Sequence, residues 1–336
     1  MQTKTERNLG LELARATEAA AIAAGQWAGR GETNAADAAA TEAMRQILNT
    51  IHMQGKVVVG EETRHPDYPN VLKTGEEVGD GRHPAVDVAV NPVEGIGLLA
   101  EGLPEVLSVA AAAPKGAMRS FAPAAYMEKL VVSREVADAL TPKCLDAPAG
   151  WTLGLIAREK KKPVSAVTVF VLNRRRHQEL IAEIRAAGAR ILLRPAGDVA
   201  GALRAATPGS GVDALMGIGG TAEGVIAACA TKALNGGMLA RLAPQSDEER
   251  DAVRRGGLEH ELIVNCDEIV GSEDVFVAAT GVTDGGLLDG VKFLRKGVTT
   301  HSLVLRGKTG TLRTVQTEHH RDWLNSIIYD GDAKGT

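Results

Sequence analysis

Four acidic residues, Asp37, Glu61, Glu94 and Glu223, stand at boundaries between expected helices and strands, where side chains from distant segments can converge. Carboxylates gathered in one place repel one another unless cations neutralise them. Oxygen-only ligands suit the hard ions Mg²⁺ or Mn²⁺. Two such ions can clamp a phosphate and activate a water for in-line attack. Each residue also has a plainer reading. Asp37 or Glu223 could simply stabilise a helix N-terminus through the macrodipole, and Glu61 could be an ordinary polar residue at a strand end.

Basic residues and glycines supply the complementary half of such a site. Arg176 can grip a phosphate in a bidentate manner. Gly219 and Gly220, just before a helix, let backbone N–H groups approach an anion. The run Arg174-Arg175-Arg176 could equally be a solvated cluster after a strand, which is the reading given to Lys160-Lys161-Lys162.

The elements that must position these groups follow from apolar spacing. Leu9, Leu13, Ala16, Ala20 and Ala23 predict a helix over 9–27. Ala28-Gly29-Arg30-Gly31 reads as a turn. A second helix has Asn34 as its N-cap and Asp37 in its first turn. Met44, Ile47, Leu48 and Ile51 continue its stripe. A strand at 57–59 ends in Gly60-Glu61, and 62–77 reads as a loop or excursion. A buried strand at 85–90 leads into the loop Asn91-Pro92-Val93-Glu94-Gly95-Ile96. Further strands are expected at 107–113 and 127–133, with a helix boundary or linker at 141–151.

From about Val164 strands and helices alternate. Strands are expected at 167–172, 191–193 and 214–218, and helices at 177–187, 199–206 and 223–234. This rhythm implies a parallel sheet with covering helices. Strands return at 275–279 and 302–306, the latter paired with 311–316. The tail after Asp330 reads as frayed.

The 336 residues suggest two domains or one large α/β unit, and the change of rhythm divides the chain into α/β parts at 1–160 and 161–330. Apolar residues make up 44% and aromatics only 3%, so the core must be built from Ala, Val, Leu and Ile. A net charge of -4 argues against a nucleic-acid surface, so an anionic ligand must be drawn by local basic groups or metal ions. Cys144, Cys229 and Cys266 are far apart and read as reduced, buried thiols. The polar start Met1-Gln2-Thr3-Lys4-Thr5 has no signal-peptide core, and no apolar run approaches the roughly 18 residues of a membrane span. A cytoplasmic protein with no membrane partner is expected.

A longer set of landmarks runs in order along the chain. They are Gly29-Arg30-Gly31 with Asn34 and Ala36-Asp37; Val59-Gly60-Glu61; Ala85-Val86-Asp87 with Pro92, Glu94 and Gly95; Tyr126-Met127-Glu128-Lys129-Leu130; Arg176-His177; Gly197-Asp198-Val199-Ala200; Gly217-Ile218-Gly219-Gly220 with Glu223-Gly224-Val225; Ala279-Thr280-Gly281; and Arg306-Gly307-Lys308. From about Leu11 to Thr317 the chain resembles the class II fructose-1,6-bisphosphatases, within the lithium-sensitive metal phosphatases. The resemblance implies a layered αβαβα sugar-phosphatase fold and divalent-metal-dependent hydrolysis of a sugar phosphate or bisphosphate. It implies Mg²⁺ or Mn²⁺ held by Asp37, Glu61, Asn91, Glu94 and Glu223, the first four of them catalytic. It also implies substrate contacts from Glu94, Gly95, Ile96, Tyr126, Arg174, Arg175, Arg176, the Ala196-Gly197-Asp198 turn and Gly220. A small phosphorylated sugar is the expected partner, and a homo-oligomer (dimer or tetramer) the expected assembly.

The chain departs from the family pattern at the expected site. Asn91 replaces the Asp of the signature Asp-Pro-Ile-Glu-Gly-Thr, so a ligand oxygen remains and its charge is lost. Ile96 replaces the Thr whose hydroxyl helps orient the attacking water; losing such a group costs about 10²–10⁴ in rate. Ala196 replaces an Asp of the usual Asp-Gly-Asp turn. Glu62-Thr63 and Glu32-Thr33 replace Gly-Glu and Asp-Lys. Two readings fit: a phosphatase of weak or altered activity, or a repurposed relative that binds a phosphorylated sugar with other chemistry or a regulatory role.

Three motifs carry less weight. Gly217-Ile218-Gly219-Gly220-Thr221-Ala222 fits a dinucleotide fingerprint, but 235–241 reads as a glycine-containing turn where the acidic residue of the next strand is required. Gly307-Lys308-Thr309 lacks the first glycine of a P-loop and reads as a hairpin turn. His319-His320 reads as surface.

Overall fold

Alanine at nearly every second position of the first helix lets it lie close against a sheet. The computed structural model describes residues 8–60 and 72–320. In it α1 (Leu9–Gly25) starts at Asn8, whose side chain accepts from the Gly10 N–H at 3.1 Å. It packs against α2 (Thr33–Leu48). Asn34 is not the cap expected of it. Glu32 holds that place and the helix begins at Thr33, so Asp37 lies beyond the first turn.

The chain continues through β1 (Gln54–Val59), β2 (Glu77–Val78), β3 (Ala85–Glu94), α3 (Ile96–Ala100), β4 (Leu107–Pro114) and β5 (Tyr126–Val132). Three helices follow, α4 (Arg134–Ala137), α5 (Lys143–Asp146) and α6 (Ala149–Glu159). Then come β6 (Thr168–Leu172), α7 (Gln178–Ala186), β7 (Arg190–Arg194), α8 (Asp198–Ala206), β8 (Ala214–Gly220), α9 (Thr221–Ala233) and β9 (Gly237–Leu242). The last elements are α10 (Asp247–Arg255), β10 (Val264–Asn265), α11 (Cys266–Ile269), β11 (Phe276–Gly281), β12 (Lys292–Leu294), β13 (Gly297–Arg306) and β14 (Thr311–His320).

Among the described residues the strands form two sheets. The first has the order β12-β13-β11-β4-β3-β1-β2, with β14 also on β13. Only its β1–β3 pair is parallel. The second has the order β10-β9-β5-β8-β6-β7. The expected parallel sheet is present only in part. β6 runs parallel to β7 and β8, but β5, from earlier in the chain, inserts antiparallel between β8 and β9. An α9 crossover thus joins two strands that are not neighbours, which sequence alternation cannot reveal.

Three cores define the layers. Leu13, Ala16, Met44, Leu48, Val88 and Val90 pack α1 and α2 on one face of the first sheet. Phe170, Leu203, Ile226, Val277 and Leu305 fill the space between the sheets, where α8 and α9 lie. Leu153, Ile156, Val169, Val171 and Ile184 cover the outer face of the second sheet with α6 and α7. The architecture is therefore a layered α/β fold, helices and sheets alternating.

Several local expectations change. Lys160 and Lys162 are not a solvated cluster: both pair with Asp213, at 3.5 and 2.5 Å, and Lys160 also with Glu135 at 2.8 Å. His319 is buried, its Nε2 2.9 Å from Thr300 Oγ1, because β14 pairs with β13 along its full length and turns this side chain inward. His320 is exposed as expected. Residues 237–242 form β9 rather than a turn, and that strand still ends without an acidic residue. Gly307–Thr309 is the turn between β13 and β14. The three cysteines are buried and free; burial pushes the Cys266 thiol up to about 12. No described helix is long and apolar enough to cross a membrane. The frayed tail and Glu61-Glu62-Thr63 lie outside the described residues.

Candidate functional site

β3 begins as an alternating strand. Val86, Val88 and Val90 face α1 and α2, while Ala89 faces the second sheet. Strict alternation would put Asn91 and Glu94, three apart, on opposite faces. The pairing with β4 shifts register between them, Asn91 lying opposite Val109 and Glu94 opposite Leu107. One extra residue is thereby taken up by β3, at Pro92, which has no N–H to lose. Val93 returns to the α1–α2 core, and Asn91 and Glu94 come onto one face. Asn91 Nδ2 donates to Glu94 Oε2 at 2.6 Å. Gly95 follows with φ 94, a left-handed turn that only glycine adopts easily, and starts α3.

The second sheet brings its own strand ends to this point. Gly197, with φ 99, turns the chain into α8. The first turn of α8 then points a backbone donor at the loop: Val199 N–H donates to Glu94 Oε1 at 3.1 Å. A carboxylate at a helix N-terminus is favoured by the partial positive charge there. Glu105, just before β4, reaches β7 and α8, accepting from Arg204 Nη1 at 2.8 Å and from Arg194 Nε.

Beneath the cleft lies Lys129. Its side chain is only 1% exposed and donates to Asp198 Oδ2 and to the Gly220 carbonyl at 3.1 Å. This ion pair needs the glycines beside it. A Cβ on Gly219 would lie 2.0 Å from Asp198 Oδ2 and 2.8 Å from Lys129 Nζ, and one on Gly220 would lie 1.9 Å from Glu223 Oε2.

Arg176 and His177 clasp the two backbone groups of one residue of β8, Ile218. Arg176 donates through Nε and Nη2 to the Ile218 carbonyl at 3.2 and 3.0 Å. His177 Nε2 accepts from the Ile218 N–H at 2.8 Å. That leaves Nδ1 as the protonated nitrogen, donating to the Leu172 carbonyl at 2.7 Å. Burial lowers the His177 pKa below the usual histidine value, and the nearby Arg176 charge works the same way.

These elements enclose a cleft of about 590 Å³, within the range of small-molecule sites. Of the expected residues, Glu94, Gly95, Ile96, Tyr126, Arg174, Arg176, Asp198, Gly220 and Glu223 line it. Arg175 does not. After the extended Arg174, Arg175–His177 form a single 3₁₀ turn in which successive side chains fan out by about 120°, and of these arginines Arg174 and Arg176 reach the cleft. Asp37 and Asn91 are buried behind the lining, Asp37 2% exposed on α2, which packs against β3 and α3. Ala196 lines the cleft with a methyl group.

Asp37, Glu94 and Glu223 offer oxygens only, the right chemistry for a hard cation. Among the described residues, however, no three His, Cys, Asp or Glu side chains converge closely enough to hold one. Both Glu94 oxygens accept from protein N–H groups.

Sequence reasoning missed Lys129, Glu101 and Glu105. The signal for Lys129 was available: a cation inside an apolar strand, on the same parity as buried Met127 and Val131. Glu101 lines the cleft from the end of α3, and nothing in its neighbours distinguishes it.

Residues 7–319 match the family described as bacterial fructose-1,6-bisphosphatase, glpX-encoded. The chain is 40% identical to the class 2 fructose-1,6-bisphosphatase of Haemophilus influenzae, over 96% of this chain and 99% of that protein. It is 38% identical to the D-fructose 1,6-bisphosphatase class 2/sedoheptulose 1,7-bisphosphatase of a Synechococcus strain, over 94% and 97% of the two chains. It is likewise 38% identical to fructose-1,6-bisphosphatase 1 class 2 of Escherichia coli, over 94% and 96%.

Proposed function

We propose, for a chain that belongs to the bacterial class 2 fructose-1,6-bisphosphatase family, that this cleft hydrolyses one phosphate ester of a sugar bisphosphate with a divalent cation. The observation that carries the reading is the convergence of Arg174, Arg176, Asp198, Gly220 and the Glu94-Gly95-Ile96 loop on one cavity. Arg174 and Arg176 bind phosphate. Arg176 is held by the Ile218 carbonyl, so its guanidinium is oriented before the substrate arrives. Asp198, fixed by Lys129, accepts from a sugar hydroxyl.

Asp37, Glu61 and Glu223 would hold Mg²⁺ or Mn²⁺, and Glu94 accepts from Asn91 and Val199. When bound, such an ion polarises the phosphoryl oxygen and lowers the pKa of a coordinated water. Ile96 has no hydroxyl to orient that water, so slow turnover is expected. Phosphate release from fructose-1,6-bisphosphate with Mn²⁺ or Mg²⁺, lost on adding EDTA, tests the reading.

A second reading is favoured by the Asn91–Glu94 hydrogen bond and by Ile96: a homologue that binds a phosphorylated sugar without hydrolysing it, with other chemistry or a regulatory role. Calorimetric binding of fructose-1,6-bisphosphate with no phosphate release across a screen of sugar phosphates would establish it.

A further inference from the structure

We infer that the Asn91–Glu94 pair of this chain holds no metal ion of its own, because the Asn91 amide supplies the positive pole that a cation would supply between two carboxylates. The inference rests on reading the cleft as a metal-dependent phosphatase site, and it concerns how many ions that site takes.

The bulge in β3 sets the distance. It brings residues 91 and 94 onto one face and within 2.6 Å of each other. Two carboxylates so placed cannot both ionise without a cation between them. An amide beside a carboxylate has no such need. Asn91 presents its Nδ2 to Glu94 Oε2, forming a charge-assisted hydrogen bond. The other oxygen, Oε1, accepts from Val199 N–H at the start of α8.

An ion entering between 91 and 94 must first turn the amide over. Only Oδ1 of Asn91 can ligate a metal. The flip would break the 2.6 Å bond and set two oxygens face to face in a buried place. Glu94 is therefore oriented by protein donors whether or not metal is present. The cleft keeps its loop geometry without a cation at this position, and the chain takes one divalent ion fewer than the same chain with aspartate at residue 91.

The test is a Mn²⁺ titration of the full chain without sugar, wild type beside Asn91→Asp. Free Mn²⁺ is read by electron paramagnetic resonance, and melting temperature is read in EDTA and in Mn²⁺. The expected result is one more tightly bound Mn²⁺ per chain in Asn91→Asp. Its melting temperature should fall in EDTA and recover in Mn²⁺, while the wild type changes less. Equal numbers bound with equal affinity would overturn the inference. If the wild type binds none and Asn91→Asp binds one, the inference stands and the metal-dependent reading of the native cleft fails. If neither binds Mn²⁺, both fail. Should Asn91→Asp not fold even with Mn²⁺, the wild-type spectrum decides. A spin-coupled pair of ions, about 3.5–4 Å apart, would overturn the inference, and isolated ions or none would support it.

Discussion

The guanidinium of Arg176 lies 5.0 Å from the centre of the Tyr126 ring. Tyr126 opens β5 and pairs in register with Gly220 at the end of β8, while Arg176 follows β6. One cation–π contact thus bridges strand ends on either side of β8, and the same guanidinium takes the Ile218 carbonyl. A flat, delocalised cation suits both contacts, and an ammonium suits neither as well. Arg176→Lys should raise KM for fructose-1,6-bisphosphate about tenfold, or ~1.4 kcal/mol, with a smaller change in kcat. Steady-state kinetics on the purified variant checks this. An unchanged KM would remove Arg176 from the phosphate site.

Lys129 and Asp198 form a buried ion pair at the floor of the cleft. Removing one partner strands the other charge away from water, a loss of about 3–5 kcal/mol for buried pairs. Lys129→Met should therefore lower the urea midpoint sharply. The double variant Lys129→Met/Asp198→Asn should recover part of the loss, because the stranded carboxylate is gone. Additive losses in the urea titrations would mean that the two side chains do not depend on each other. Gly219→Ala should damage the same pair, since its methyl would meet Asp198 Oδ2 at 2.0 Å.

Ile96 lines the cleft where the family signature carries a hydroxyl. Ile96→Thr restores a group able to hold water, and Asn91→Asp restores the missing charge. Together they should raise kcat for fructose-1,6-bisphosphate with Mn²⁺ by about 10² or more, the lower range for a positioned proton-transfer group. Ile96→Thr alone should gain less. A phosphate-release assay that shows no change in the double variant would count against both assignments.

The His177 imidazole is neutral in the fold and its pKa is lowered by burial. The unfolded chain, with an ordinary histidine pKa of about 6.5, binds the proton more readily. Stability from this group is therefore complete above about pH 6.5 and is lost as pH falls through the folded value. Urea midpoints measured from pH 8 down to pH 5 should fall, and His177→Gln should flatten part of that slope. His319, also lowered by burial, adds a slope of the same sign that His177→Gln leaves in place. A variant with the wild-type slope would show that His177 titrates normally.

Much of the fold was legible from spacing. The stripe Leu9, Leu13, Ala16 became α1, and the strand–helix alternation after Val164 became β6 to α9, because local burial patterns carry their own period. What the alternation could not state was that β5 enters between β8 and β9 and makes the sheet mixed. Strand order depends on contacts between segments far apart in the chain, and no local period records them. His319 was misread for the same reason: its burial comes from pairing with β13 and from α1, not from its neighbours in sequence.

The site divides along the same line. Residue chemistry determined which groups could meet a phosphate and a hard cation, and the family resemblance marked Asn91 and Ile96, whose atoms cannot do what carboxylate and hydroxyl do. Tertiary structure alone decided that Arg174 and Arg176 reach the cleft and Arg175 does not, and that Lys129 lies under Asp198. It also decided that a bulge at Pro92 turns Asn91 toward Glu94. A side chain's identity sets what it can bond, whereas its partner is set by backbone register and by segments a hundred residues away, which only the folded chain brings within hydrogen-bond reach.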